Sequence, residues 1–294
     1  MRFPPPLEPG ARIAVVAPAS PFPREEFLAG LAWLHGRYRL DVHPGIFARR
    51  GYLAGDDARR AAELSAALVA SDVRAVVCAR GGYGTLRVLD ALPWEAWAAE
   101  PKWIVGFSDA TCLLLEAAGR GVASVHGPNV TGLARPGTTL GQNRGAWLAA
   151  LEHPDRPRAW ERLDVLAAGD ATGVVVGGNL TLVASMAMAG RLRLPPDSIL
   201  VLEDVTERPY RIDRTLAALR LGGHLRNVVA VVFGGFDACA AGVDGVGVED
   251  VLADFARSVS MPVLSGAPFG HGARNDAFIV GRRARVWGDR MVFG

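Results

Sequence analysis

Ile104-Val105-Gly106-Phe107-Ser108-Asp109-Ala110 sets a serine where an apolar run gives way to a helical one, with glycine two residues before it and alanine two after. A hydroxyl nucleophile on a tight strand-to-helix turn needs a strained backbone and close approach of neighbouring chain, so small residues at those two positions are what the chemistry requires. G-x-S-x-A meets that requirement. A serine in this place can instead cap the helix that follows, with Asp109 in the first turn favouring the macrodipole. The two roles are compatible, because a helix N-terminus stabilises negative charge developing beside the hydroxyl.

Such a serine needs a base. Lys102 is the only lysine among 32 basic residues, and it stands about 20 Å back along the strand at ~3.3 Å per residue, so it reads as structural. Of six histidines, His35, His43, His153 and His224 have the surroundings of surface positions. His126 and His271 both end apolar segments in Gly-rich loops, where function gathers. His271 is preferred because Gly270 and Gly272 leave its imidazole uncovered, with His126 as competitor. A neutral imidazole needs an acceptor on its other nitrogen to fix the tautomer and to stabilise the imidazolium. Glu203 follows the buried run Ile199-Leu200-Val201-Leu202 and should emerge at the strand's carboxyl end, where α/β proteins build their sites. Asp204 is its competitor, and a structural pairing of Glu203 with Arg208 or Arg211 is the other reading.

Arg80-Gly81-Gly82-Tyr83-Gly84-Thr85 lies between a strand and a helix, so its backbone N–H groups can face an anion. The loop lacks the G-K-[ST] of a P-loop and breaks the dinucleotide fingerprint at its last glycine. In acyl transfer the N–H groups of Gly82 and Asp109 would instead form an oxyanion hole, each donor worth roughly 2.7 to 4 kcal/mol in the transition state. There is no H-E-x-x-H, no C-x-x-C and no helically spaced histidine pair, so neither a metal nor a cofactor is expected. Cys78, Cys112 and Cys239 are scattered in apolar surroundings and read as core residues of a reducing compartment.

The elements that must hold these residues alternate. Strands are expected at 11–17, 75–79, 103–106 and 123–126, and helices at 24–37, 57–70, from about Thr85, and at 109–119, which implies a parallel sheet covered by helices. Breakers and charges become dense at 135–141 and 155–170, so the chain is divided into an N-terminal domain at 1–150, a linker at 151–171 and a C-terminal domain at 172–294. The second half shows strands at 173–176, 199–202 and 228–233, an amphipathic helix at 210–221, and closely spaced strands at 277–280, 283–287 and 290–293 whose hairpin-like spacing suggests mixed directions.

Half of the 294 residues are apolar, enough for a sizeable core. The formal charge of +2 is spread without a basic tract, so nucleic acid is not expected as a partner. No apolar run is long enough to span a membrane and the N-terminal residues lack a signal-peptide core, so a cytoplasmic protein is expected.

Six ordered blocks resemble the LD-carboxypeptidase family: R-G-G-Y-G-T-L-R (80–87), G-F-S-D-A-T (106–111), H-G-P (126–128), G-G-N-L (177–180), L-E-D-V-x-E-x-P-Y-R-I-D-R (202–214) and G-H-x-x-x-N (270–275). The resemblance implies a flavodoxin-like N-terminal domain carrying Ser108 and a smaller mixed α/β domain carrying Glu203 and His271, joined in a Ser-Glu-His triad. It also implies a homodimer, and cleavage of the bond between the L-centre of diaminopimelate and the terminal D-alanine of a murein tetrapeptide during wall recycling. A terminal carboxylate suits a bidentate arginine, for which Arg80, Arg208 and Arg274 are the candidates. Ala110 departs from the larger aliphatic residue expected there, which bears on packing rather than chemistry. A sister branch, the microcin-immunity hydrolases, shares the triad but releases an aminoacyl group from a nucleotide conjugate; the R-G-G-Y-G loop looks closer to the carboxypeptidases. Outside enzymes, the alternative is a small-anion binding module with Ser108 as a cap.

Overall fold

A computed structural model describes residues 1–134 and 140–294. The chain divides into two compact units, Met1–Pro154 with Asp276–Ile279, and Asp155–Asn275 with Val280–Gly294.

In the first unit, the inner strands bury nearly every residue because helices cover both faces of the sheet, whereas the edge strand at Arg39–Val42 stays partly exposed. The order along the chain is β1 (Arg12–Val16), α1 (Arg24–His35), β2 (Arg39–Val42), α2 (Asp57–Val69), β3 (Val73–Cys78), α3 (Trp94–Ala99), β4 (Trp103–Gly106), α4 (Thr111–Gly119), β5 (Ser124–His126) and α5 (Leu140–Glu152). Helix α2 begins where the Asp56 side chain accepts from the Arg59 N–H, an N-cap of the usual kind. The strands pair in parallel in the order β2-β1-β3-β4-β5. That is the flavodoxin-like order, in which loops at the carboxyl ends of β1 and β3 flank the point where connections reverse and ligands bind. A sixth strand from late in the chain, Phe278–Val280 (β12 in chain order), lies beside β5.

The second unit holds β6 (Arg158–Trp160), β7 (Asp164–Ala167), β8 (Asp170–Asn179), α6 (Leu180–Met188), β9 (Ser198–Val205), α7 (Pro209–Leu221), β10 (Val228–Asp237), α8 (Val248–Arg257), β11 (Val263–Ser265), β13 (Arg283–Trp287) and β14 (Arg290–Phe293). Its sheet runs β6-β14-β13-β8-β9-β10-β11-β7. The centre from β8 to β11 is parallel, and the flanking pairs are antiparallel. The fold is therefore α/β: a flavodoxin-like parallel sheet with a second, mixed α/β unit.

Several local expectations change. Residues 158–160 and 164–167, expected inside a linker, are strands that pair with β14 and β11, because short runs such as Arg158–Trp160 supply edge pairing despite dense charge. The 277–280 strand joins the first sheet instead of the C-terminal hairpin. The segment from Thr85 is a 3-10 helix to Ala91, followed by α3. Residues 135–139, part of an expected break, lie outside the described residues. No helix among the described residues is long and apolar enough to cross a membrane.

Candidate active site

Strand β4 ends at Gly106, Phe107 is extended at φ −149°, and Ser108 turns into the left-handed region at φ 62°. A non-glycine residue there carries strain of order 1 kcal/mol or more, which a packed surrounding must hold in place. Two close approaches hold it. A Cβ on Gly106 would stand 2.7 Å from the Cβ of Ala110, and one on Gly81 would stand 2.7 Å from Ser108 Cβ and 2.8 Å from its Oγ. Ala110 is 1% exposed, so the small residue fills its space and leaves none for a larger neighbour at 106. The buried Asn129 side chain accepts from the Phe107 N–H at 3.2 Å and fixes the backbone just before the serine.

Helix α4 starts at Thr111 with Ala110 as its N-cap residue, so Ser108 does not cap that helix. Asp109 instead turns inward, accepting from the Thr85 N–H at 2.8 Å and so tying the serine turn to the glycine loop. Burial raises the Asp109 carboxyl above its ordinary range, with the Thr85 hydrogen bonds opposing. In that loop, Gly81 faces Ser108, whereas a Cβ on Gly82 would collide with Ser20. Ser20 braces the loop, donating its own N–H to Gly81 O at 3.3 Å and accepting from the Tyr83 N–H at 3.1 Å.

In the second unit, Glu203 is fully buried near the carboxyl end of β9, and its Oε2 lies 2.7 Å from His271 Nδ1. Asn179, the last residue of β8, donates to Glu203 Oε1 at 3.3 Å and to Asp204 Oδ1 at 3.0 Å. Asp204 also accepts from the N–H and hydroxyl of Thr181 and from the Val205 N–H, at 3.0, 2.8 and 2.9 Å. The two adjacent carboxylates are thus divided: Asp204 ties down the start of α6, and Glu203 faces the imidazole. Glu203 is engaged by Asn179 and His271, while Arg211 pairs with Glu207 at 3.7 Å. Burial raises the Glu203 carboxyl above its ordinary range, opposed by the hydrogen bond and charge of His271.

His271 keeps 15% of its side chain exposed. Gly270 adopts φ +138°, where a Cβ would press on the backbone of Gly235 at 3.3 Å and on Glu203 Oε2 at 3.4 Å, so only glycine lets the histidine loop settle over the carboxylate. Its competitor His126 is 0% exposed and stacked on Phe278 at 4.6 Å, a packed position in the first sheet.

Of the other residues singled out in the sequence, Lys102 is buried and donates to the Ala70 carbonyl, a structural position. The three cysteines are buried, and burial pushes the Cys78 thiol up to about 12, which leaves it an unreactive core residue. Arg80 donates to Pro21 O at 2.5 Å, while Arg208 precedes α7 and Arg274 lies in the histidine loop, all three exposed. Ser108, Asp109 and the glycine loop belong to the first unit, and Glu203 and His271 to the second.

Family models decide the relationship: the LD-carboxypeptidase N-terminal domain matches residues 13–127 and the LD-carboxypeptidase C-terminal domain matches residues 172–286. The chain belongs to the LD-carboxypeptidase family. It is 36% identical to the murein tetrapeptide carboxypeptidase of Pseudomonas aeruginosa, over 95% of this chain and 94% of that one. The crystal structure of muramoyltetrapeptide carboxypeptidase from Oxalobacter formigenes superposes with a TM-score of 0.87 at 27% identity, over 97% of this chain and 99% of that one. MccF in complex with glutamyl sulfamoyl guanosine has a TM-score of 0.89 at 18% identity, over 98% and 97% of the two chains, a likeness of fold alone.

Three positioning residues were not among the sequence candidates: Ser20, Asn129 and Asn179. Asn179 lies inside G-G-N-L and Asn129 directly follows H-G-P, whereas Ser20 stands in P-A-S-P, just after the first strand-like run. For the two asparagines the available signal was a short polar residue beside an apolar strand, a buried donor or acceptor that must find a partner.

Proposed function

We propose that the chain is a serine carboxypeptidase that releases the terminal D-alanine of a muramoyl tetrapeptide, with Ser108 as nucleophile, His271 as base and Glu203 as its orienting carboxylate. The observation that carries this reading is the 2.7 Å approach of the buried Glu203 Oε2 to His271 Nδ1. With Nδ1 engaged, Nε2 is the nitrogen that takes the Ser108 proton as Oγ bonds to the scissile carbonyl carbon. The N–H groups of Gly82 and Asp109 hold the oxyanion. Collapse of the tetrahedral intermediate breaks the C–N bond, and the imidazolium returns its proton to the departing D-alanine amine. Water, deprotonated by the same imidazole, then cleaves the acyl ester and restores the hydroxyl. Arg80, Arg208 and Arg274 are the side chains proposed to receive the substrate carboxylates.

The substrate class is supported by full-length relatives whose names specify murein or muramoyl tetrapeptides, at 36% and 27% identity. The cytosol as compartment and a homodimer as assembly go with this reading. The test pairs two measurements on the intact chain: D-alanine release from a murein tetrapeptide, and labelling by a fluorophosphonate that disappears in Ser108→Ala. Folded protein that neither labels nor releases D-alanine overturns the proposal. Cleavage of an aminoacyl sulfamoyl adenosine without D-alanine release would move the chain to the microcin-immunity branch.

A further inference from the structure

Two large aromatic side chains of the first unit are left in solvent side by side. Tyr52 is 64% exposed and Tyr83 47% exposed, with ring centroids 5.7 Å apart and planes inclined at 57°. Solvent-exposed neighbouring rings at the carboxyl ends of the strands of an α/β sheet are an unexplained apolar surface at the place where such folds bind ligands.

Both rings stand on fixed backbone. Tyr83 follows Gly82 in the loop that closes on Ser108, and its N–H is held by Ser20 Oγ at 3.1 Å. Tyr52 sits at the tip of a two-residue turn closed by reciprocal hydrogen bonds between Arg50 and Leu53, at 2.9 and 3.1 Å, with Gly51 at φ +60°. Leu53 is 6% exposed and lies where a Cβ of Gly84 would stand only 2.7 Å from its Cδ2, so the turn is pinned to the glycine loop. The Ala54 N–H, donated to Ala19 O at 2.9 Å, ties the same turn to the loop after β1. Three loops thus present two rings as a rigid ledge.

We infer that this ledge is a subsite for the sugar end of the substrate, the aminosugar ring lying against Tyr52 and Tyr83. The inference rests on the muramoyl tetrapeptide reading above. The stem peptide is charged and asks for arginines, whereas a pyranose ring offers flat C–H faces and hydroxyls, which a tyrosine meets with its ring and its phenol at small entropic cost. The spacing agrees. Tyr83 is two residues beyond Gly81, itself against Ser108, a chain reach of about 7 Å before the ring is counted, and three extended stem residues carry a substrate about 10 Å from scissile bond to sugar.

The experiment compares kcat/KM for D-alanine release from the disaccharide-bearing tetrapeptide and from the bare tetrapeptide. In wild type the sugar-bearing substrate should be preferred, and in Tyr52→Ala and Tyr83→Ala the preference ratio should fall about tenfold, mostly through KM. Tyr52→Phe should restore most of it, since the ring supplies the contact. An unchanged ratio in both alanine variants overturns the ledge. The sugar-containing disaccharide without peptide is then titrated onto Ser108→Ala protein by NMR, with and without Tyr52→Ala. Perturbation of the tyrosine ring resonances that is lost in the double variant supports the subsite even if no peptide is cleaved, and absence of perturbation counts against it. Failure of wild type to release D-alanine from either peptide instead removes the catalytic reading.

Discussion

The serine turn of the first unit and the Glu203–His271 pair of the second are held in place by opposite means. Around Ser108, position comes from backbone: a left-handed residue at φ 62° wedged between Gly81, Gly106 and Ala110, where an added methyl group has no room. Around His271, position comes from side chains, a buried chain of hydrogen bonds running from Asp204 through Asn179 to Glu203 and the imidazole. The first device depends on atoms that are absent, so it fails when something is added. The second depends on polar partners that must all be present, and it fails when one is removed.

Deletions in the second region should produce the largest effects. His271→Ala removes the proposed base, and kcat for D-alanine release should fall roughly 10⁶-fold. Glu203→Gln keeps shape but no longer fixes the tautomer or stabilises the imidazolium, and should cost about 10⁴-fold; a loss under tenfold would mean that the carboxylate does not orient the ring. In the first region an addition is the sharper probe. Gly81→Ala drives a methyl against Ser108 Cβ and Oγ, and a shift of the proposed nucleophile approaching 1 Å should cost about 10²-fold in kcat with the fold intact. Wild-type rates in that variant would show that the loop yields freely, and the contrast between the two regions would collapse. Asp204→Ala should act on stability first, by about 2 to 3 kcal/mol in denaturant unfolding, because it strands the Thr181 and Val205 donors. Its smaller loss of activity should be relieved by Asp204→Asn, which keeps an acceptor.

The same contrast explains what the sequence discloses. G-x-S-x-A is a local pattern, and the steric need for small residues at 106 and 110 is legible because both lie within two positions of Ser108. Glu203 is legible as the residue after a buried strand, and His271 as a glycine-flanked histidine, but 68 residues separate them. No propensity or periodicity specifies that they meet, and only the ordered family blocks do. Helix α6 was missed because its signal is a single Asn cap in G-G-N-L, and strand β12 was assigned to the neighbouring hairpin because sheet membership is a tertiary property that its apolar run does not encode. Gly82 is the glycine proposed to help hold the oxyanion, while Gly81 is the one whose missing Cβ faces Ser108; which of two adjacent glycines packs against the serine depends on φ values that the letters G-G leave open.

One carboxyl in each region is raised by burial, Asp109 and Glu203, and this gives the smallest of the expected effects. A carboxyl whose folded pKa lies above its unfolded value binds protons more readily in the native state. Its contribution to stability is therefore complete below the ordinary carboxylate range and is lost as pH rises through the raised value. Asp109→Asn should keep the acceptor that Thr85 uses while removing the ionisation. Measured against wild type, its melting temperature should rise by a few degrees at most on going from about pH 4 to neutral, since roughly 1 kcal/mol moves a chain of this size by only that much. If the difference in melting temperature is instead flat across that range, the Asp109 carboxylate is fully compensated by its Thr85 donors, and the serine turn relies on a paired buried charge as much as the histidine side does.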